Sequence, residues 1–194
     1  MYNPREDSFL IQKHIKAFCK SDSNFSVLDL GTGSGMLALE ASKYAKSVTA
    51  SDIDENVIKE LKKNLKGLIK KEKQNPKFYA GISLNINSIK FIHSNLFLKI
   101  KNKFDLIIFN PPYIPTKKNE TRFTDLDGGK NGTEIIKRFL KQAKQFLKKE
   151  GKILLLTSSL NKNVTKLFDK YHYTYKLLDE KKFFFEKIFV WELN

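Results

Sequence analysis

Ser26-Val27-Leu28-Asp29-Leu30-Gly31-Thr32-Gly33-Ser34-Gly35 runs from an apolar, strand-sized piece straight into a turn that holds three glycines. Residues 26–30 read as a strand that Gly31 ends. Residues 35–45 return to helical spacing, with Met36, Leu37, Leu39 and Ala41 available for packing. Glycines let the backbone turn tightly and let a ligand approach it closely. Asp52 ends the next strand ~20 residues on, the spacing expected of a carboxylate that grips two ribose hydroxyls. A ribonucleoside cofactor follows. The G-x-G-x-G spacing differs from the dinucleotide pattern, and Asp29 just before it repels a pyrophosphate and attracts an ammonium. A cofactor with a positively charged amino-acid end fits better, and S-adenosyl-L-methionine has one. A purely structural turn is the alternative for the glycines alone; the strand, the helix and Asp52 argue against it.

Outward from this unit, the apolar period keeps switching between helix-like and strand-like, the mark of an α/β fold. Residues 6–19 read as a helix with Leu10, Ile11, His14, Ile15 and Phe18 on one face. Ser47–Ser51 reads as a second strand, and Asp54 to about Lys71 as a helix striped by Val57, Ile58, Leu61, Leu65 and Leu68. Residues 72–87 break both periods. Ser88–His93 and Asp105–Phe109 read as the third and fourth strands, and 116–130 as a polar loop. Thr133–Lys149 reads as a long helix capped by Gly151, Lys152–Thr157 as a fifth strand and 161–170 as a further helix. Tyr173–Leu178 and Phe183–Leu193 read as an antiparallel hairpin joined by the charged turn Asp179–Lys182. The expectation is one domain over residues 1–194, with residues 1–20 as an N-terminal helix and cofactor-contacting segment.

Composition narrows the class. The chain has 194 residues, 41% of them hydrophobic, enough for one sizeable core. Its single cysteine, Cys19, excludes an internal disulfide, and the scattered His14, His93 and His172 give no zinc spacing, so no metal is expected. The first ten residues do not read as a signal peptide and no apolar run reaches membrane-spanning length. A soluble, cytoplasmic protein without membrane association is expected. The net charge of +15 favours polyanionic surroundings, so nucleic acid is a possible partner through the basic surface. Much of that charge lies in runs such as 59–63 and 70–73, which read equally as solvated helix faces.

Two further stretches sit where strands end, beside the same crevice. Ser94-Asn95-Leu96-Phe97 follows the third strand: Asn95 is placed to accept a hydrogen bond from an adenine amine, and Leu96 to cover the ring. Asn110-Pro111-Pro112-Tyr113 follows the fourth. Two prolines there cannot continue a sheet. A planar nitrogen, in an amide or an aromatic amine, is a poor nucleophile and carries N–H donors in need of acceptors. The Asn110 side-chain oxygen and the Pro111 carbonyl can take one each, Pro112 stiffens the turn and Tyr113 packs against a flat group. Catalysis would then be positioning and electrostatics rather than acid–base chemistry. Ahead of the first helix, Asp7 or Ser8 reads locally as a helix N-cap.

Together these residues resemble the HemK-like family of S-adenosylmethionine-dependent methyltransferases, whose members modify the glutamine nitrogen of a Gly-Gly-Gln motif in translation release factors. Asp29-x-Gly31-x-Gly33-x-Gly35, Asp52, Asn95-Leu96-Phe97 and Asn110-Pro111-Pro112-Tyr113 fall in the family's order. Asp127-Gly128-Gly129-Lys130-Asn131-Gly132 looks like its loop before the next helix. The signature Tyr2-x-Pro4-x-Glu6-Asp7-Ser8-Phe9-Leu10 lies almost at the first residue, which is similar to the short archaeal and eukaryotic branch. The resemblance implies a class I methyltransferase (Rossmann-like) fold with a seven-stranded, mostly parallel sheet in the order 3-2-1-4-5-7-6, ending in an antiparallel hairpin. It implies that Ser8 contacts the cofactor, that a class-1 translation release factor is the substrate, and that a small zinc-binding activator subunit pairs with the third-strand edge, residues 86–93. Ile86, Ile89 and Phe91 are expected to make that edge apolar and exposed. Position 95 departs from the family's usual aspartate, and the 72–87 segment is longer than usual. The alternative activities are an exocyclic-amine methyltransferase of DNA or RNA, since the Asn-Pro-Pro-aromatic motif serves base amines by the same physics, and a cofactor-binding protein without turnover.

Overall fold

The computed structural model describes residues 6–19, 24–74, 85–115, 129 and 132–194. The Tyr2 to Pro4 part of the N-terminal signature, most of the 72–87 segment and Asp127, Gly128, Lys130 and Asn131 lie outside the described residues. Seven strands form one sheet: β1 (Ser26–Leu30), β2 (Ser47–Asp52), β3 (Ile89–His93), β4 (Phe104–Phe109), β5 (Leu147–Ser158), β6 (Tyr175–Lys182) and β7 (Lys187–Leu193). Their order is β3-β2-β1-β4-β5-β7-β6. Strands β1 to β5 pair in parallel, and β7 pairs antiparallel with both β5 and β6. This is the class I methyltransferase sheet with its closing hairpin.

Alternation along the strands makes two apolar layers, because successive side chains point to opposite faces. Val27, Val48, Ala50, Leu106, Ile108, Leu154 and Leu156 pack on one face with Leu10, Ile11 and Ile15 of α1 (Glu6–Phe18) and Leu37 and Ala38 of α2 (Met36–Ala41). Leu28, Leu30, Ile107, Phe109, Ile153 and Leu155 pack on the other with Ile136, Phe139 and Leu140 of α4 (Glu134–Ala143) and Phe168 of α5 (Val164–Lys170). The intervening α3 (Glu55–Gln74) buries Ile58 and Leu61 and exposes Lys59, Lys62, Lys63, Lys66 and Lys70, so these lysines are a solvated face. No described helix is long and apolar enough to cross a membrane.

Three local expectations change. The long helix does not reach Lys149: α4 stops at Ala143, a 3₁₀ turn covers Lys144–Phe146, and β5 begins at Leu147. Tertiary contacts override the helical pattern. Phe146 stacks on Phe97 at 4.5 Å, Leu147 pairs with Phe104, and Lys148 reaches Asp105 at 2.7 Å. Ser26 donates to the same carboxylate from its backbone N–H and its hydroxyl, each at 2.8 Å. Burial opposes charge at Asp105, but the bonds from Lys148 and Ser26 outweigh it and hold the carboxyl below its usual range. Gly151 is therefore no helix cap. It sits where a Cβ would lie 2.9 Å from the Phe104 carbonyl oxygen, within a register shift of the β4–β5 pair.

The final turn also moves. The charged residues 179–182 extend β6, because α1 answers their charges: Lys13 and His14 meet Asp179 at 2.5 and 2.9 Å, and Glu6 meets Lys181 at 2.7 Å. The chain reverses instead at Phe183–Glu186, closed by the Phe183 N–H donating to the Glu186 carbonyl at 2.7 Å, with Phe184 and Phe185 exposed at the tip. Third, the β3 edge is not the exposed apolar strip expected. Ile86 is buried, while Ile89 and Phe91 are half-buried and pack on the core layer. Among the described residues β3 pairs only with β2, so its other backbone edge lies at the margin of the sheet.

Gly35 opens α2 at φ +77°, and a Cβ there would lie 2.9 Å from Cδ2 of Leu61. An L-residue in that left-handed conformation costs ~1–2 kcal/mol. Gly35→Ala is expected to lower the melting temperature by several degrees, about 2–4 °C per kcal/mol at this chain length, as read by thermal unfolding.

Candidate functional site

The register decides where the site lies. Leu30 is level with Ser51 on one side and Phe109 on the other. Gly31 and Asn110 therefore leave the sheet at the height of Asp52, the last residue of β2, which still pairs with His93. A cavity of about 550 Å³ opens there, a size ordinary for a small-molecule site. Gly31, Gly33, Asp52, Asn110, Pro111, Pro112 and Tyr113 all line it, and so do Asp7 and Ser8 from the first turn of α1. The sequence brings these segments together only through the parallel sheet; Ser8 and Asn110 are 102 positions apart.

Asp52 braces the glycine turn as well as facing the cavity. Its Oδ2 accepts the Gly33 backbone N–H and its Oδ1 accepts that of Asp54, each at 2.9 Å. A carboxylate has about four acceptor positions, so each oxygen keeps capacity for a further donor from the cavity. Asp29 lies deeper. It is fully buried, does not line the cavity, and accepts the Thr32 hydroxyl at 2.6 Å. Burial, the largest influence, raises its carboxyl to about 7 against the opposing hydrogen bonds from Thr32 and the Ala38 backbone. Through these two bonds it ties the glycine turn to the start of α2.

The Asn110 turn rests on a stack of aromatic rings. Phe109, the last residue of β4, packs 4.6 Å from Phe139, which lies 5.7 Å from Phe97. Beyond this base, the Asn110 Nδ2 donates to Asp7 Oδ2 at 3.3 Å, while Asn110 Oδ1 is buried with no hydrogen-bond partner. A buried acceptor left unmade is costly, ~1–3 kcal/mol, and such exceptions ask for an explanation. Tyr113 is nearly buried in the core layer and presents only part of its ring to the cavity. Its backbone carbonyl accepts from Asn161 Nδ2 at 2.8 Å.

Asn95 and Leu96 do not line the cavity. Asn95 is exposed, and its Oδ1 accepts from Arg138 Nη2 at 2.9 Å. Leu96 packs toward the α4 layer. His93, one residue before that loop, lines the cavity instead, with Nε2–H donating to the Ile53 carbonyl at 2.9 Å. Sequence reasoning passed over His93 and Asn161. The buried Asn161 ties three segments together: its Nδ2 donates to Tyr113 and Gly132 carbonyls, and its Oδ1 accepts the Ser158 N–H at 2.8 Å. Its position just past a strand end was the only signal available. Asp7 and Ser8 are not N-caps but lie inside the first turn, where Asp7 Oδ1 accepts the Ser8 N–H at 2.6 Å.

A methyltransferase small domain matches residues 9–186. The chain belongs to that family. This methyltransferase is 36% identical over 165 residues to a Methanocaldococcus jannaschii protein provisionally named a protein N5-glutamine methyltransferase, covering 82% of this chain and 73% of the relative. It is 30% identical over 180 residues to a release factor glutamine methyltransferase of Buchnera aphidicola, covering 88% of this chain and 60% of that enzyme. Among solved structures, the E. cuniculi Mtq2–Trm112 complex, which methylates the eRF1 translation termination factor, contains a chain that superposes with a TM-score of 0.71 at 20% identity, covering 100% of this chain and 97% of that one.

Asp29 gives this methyltransferase a testable pH signature. Its native carboxyl keeps its proton up to about 7, while the unfolded chain loses it near 3.8, the ordinary value for an aspartate. The folded state then binds more protons in that window, so Asp29 makes stability fall as pH rises from about 4 to about 7. Urea unfolding across this range is expected to show that decline in the wild type, and a flatter profile in Asp29→Asn.

Proposed function

We propose that this chain is an S-adenosylmethionine-dependent methyltransferase that acts on the side-chain nitrogen of a glutamine, in the GGQ motif of a class-1 translation release factor. The observation that carries the reading is Asn110 Oδ1, a buried acceptor without a partner on a residue that lines the cavity. A primary amide brings two N–H donors to such a site. Asn110 Oδ1 accepts one and the Pro111 carbonyl the other, which holds the nitrogen planar and aims its lone pair into the cavity. Pro112 keeps the two acceptors from separating, and the part of the Tyr113 ring that faces the cavity packs against the flat group.

S-adenosylmethionine supplies a methyl group on a sulfonium, and the residues present suit it. Asp52 offers its remaining acceptor capacity to ribose hydroxyls. The turn at Gly31 and Gly33 lets backbone approach the amino-acid end, and Ser8 adds a hydroxyl from α1. Asp29 supports this turn from below. The adenine edge falls to His93 and Ile53, which line the cavity, rather than to Asn95 and Leu96.

The names of the relatives favour a glutamine acceptor over a base, and we take residues 1–194 as one methyltransferase domain. A small zinc-binding activator subunit is proposed on the free backbone edge of β3, where it would add a strand. The basic surface favours a second reading, methylation of an exocyclic amine of RNA or DNA, since the same two acceptors suit either nitrogen.

Radiolabelled methyl transfer separates the two. With release factor and nucleic acid offered apart, and the activator present or absent, label is expected on the release factor and stronger with activator. Label on nucleic acid alone would sink the glutamine reading. In the same assay Asn110→Ala is expected to lose about 10²-fold or more in turnover while calorimetric binding of S-adenosylmethionine survives. Asp52→Ala is expected to reverse that pattern, with cofactor binding as the first casualty.

A further inference from the structure

We infer that Asp7 is a positioning residue that sets which way round the Asn110 amide sits, and so keeps an acceptor rather than a donor on the cavity wall. The inference rests on the reading of Asn110 as the acceptor for a planar N–H, and it adds the device that makes this reading possible.

The two ends of an asparagine amide have nearly the same shape, so packing alone does not choose between them. Flipped, Asn110 would present its NH₂ to the cavity, and an incoming N–H would meet another N–H. The choice is made from the opposite side. Asp7 is 6% exposed, and its carboxylate has only acceptors. Its Oδ1 already takes the Ser8 N–H at 2.6 Å and faces the Ser8 hydroxyl at 3.3 Å. Its Oδ2 faces Asn110 and takes Nδ2 at 3.3 Å. A flipped amide would set Asn110 Oδ1 against Asp7 Oδ2, two acceptors with no proton between them. The same geometry accounts for the unpartnered Asn110 Oδ1: with Nδ2 turned to Asp7, the oxygen is the end of the amide left to accept.

The helix start that carries Asp7 is itself fixed. Glu6 is paired with Lys181 of β6 at 2.7 Å, and Lys13 and His14 one to two turns further on are paired with Asp179. Leu10 and Ile11 are buried in the core layer beneath. Asp7 therefore meets Asn110 from a packed helix held at both its charged face and its apolar one.

Asp7→Asn inverts the logic while keeping the shape. Its Oδ1 still accepts the Ser8 N–H, but its new NH₂ faces the NH₂ of Asn110, and Asn110 turns to offer Oδ1 to position 7. We expect turnover on whichever acceptor the wild type methylates to fall about 10²-fold, with calorimetric affinity for S-adenosylmethionine and the melting temperature little changed. The double variant Asp7→Asn/Asn110→Asp restores a donor at 7 and an acceptor at 110. It is expected to exceed both single variants, a coupling that a merely structural Asp7 would not give. If Asp7→Asn does not fold, the comparison of Asn110→Asp with the double variant still decides. A readout independent of turnover is the Asn110 side-chain NH₂ resonance pair, identified by its loss in Asn110→Ala and expected to move in Asp7→Asn. Asp7→Asn turnover within about threefold of wild type, a double variant no better than Asn110→Asp, or an unmoved NH₂ pair each overturns the inference. A wild type that labels nucleic acid and no protein overturns the glutamine reading alone, because the Asp7 comparison runs on either acceptor.

Discussion

The parallel register of β1 between β2 and β4 is the constraint on which the rest depends. Every residue of β1 is buried, so its backbone groups have no solvent to turn to and are committed to the two neighbouring strands. That commitment leaves no freedom to slip, since a one-residue shift would exchange the two apolar faces, with Val27 on one and Leu28 and Leu30 on the other. The strands consequently end within one residue of one another, and Gly31, Asp52 and Asn110 lie side by side. The site is a by-product of the register: three loops with separate sequence signals become one cavity because three strands stop together.

Around that cavity the structure buries polar groups and arranges them so that most are satisfied from one direction. Asp52 accepts backbone N–H groups from both flanking turns. Asp29 accepts the Thr32 hydroxyl beneath the glycine turn. Asn161 spends its two ends on three backbone groups from β5, the Asn110 turn and the loop before α4. Asn110 differs: one end is taken by Asp7 and the other has no partner. Among the described residues only Ser51 Oγ shares that condition, and of the two only Asn110 Oδ1 belongs to a residue that lines the cavity, which makes it the informative exception.

Much of the fold could be read along the chain. The strand–glycine turn–helix of residues 26–41, the acid ending β2 and the apolar run before Asn110 are local patterns, and local patterns survive folding when buried apolar faces agree with them. The errors fall where distant partners intervene. Residues 147–151 follow a helical spacing, yet Leu147 pairs with Phe104 and Lys148 reaches Asp105, so the helix ends early. Residues 179–182 look like a polar turn, yet α1 supplies the opposite charges and the strand continues.

The sequence by itself determined the class of fold, the membership of a methyltransferase family and the motifs that face the cavity, because each is a short run whose spacing carries its own chemistry. Tertiary structure alone decided orientation. Whether Asp29 faces a ligand or supports a turn, whether Asn95 is free, and which end of the Asn110 amide points inward depend on atoms that the chain brings together across 103 positions in the case of Asp7 and Asn110. Hydrogen bonds are directional and residue letters are not; the letter at 110 promises an acceptor and a donor in equal measure, and only the carboxylate placed opposite it chooses.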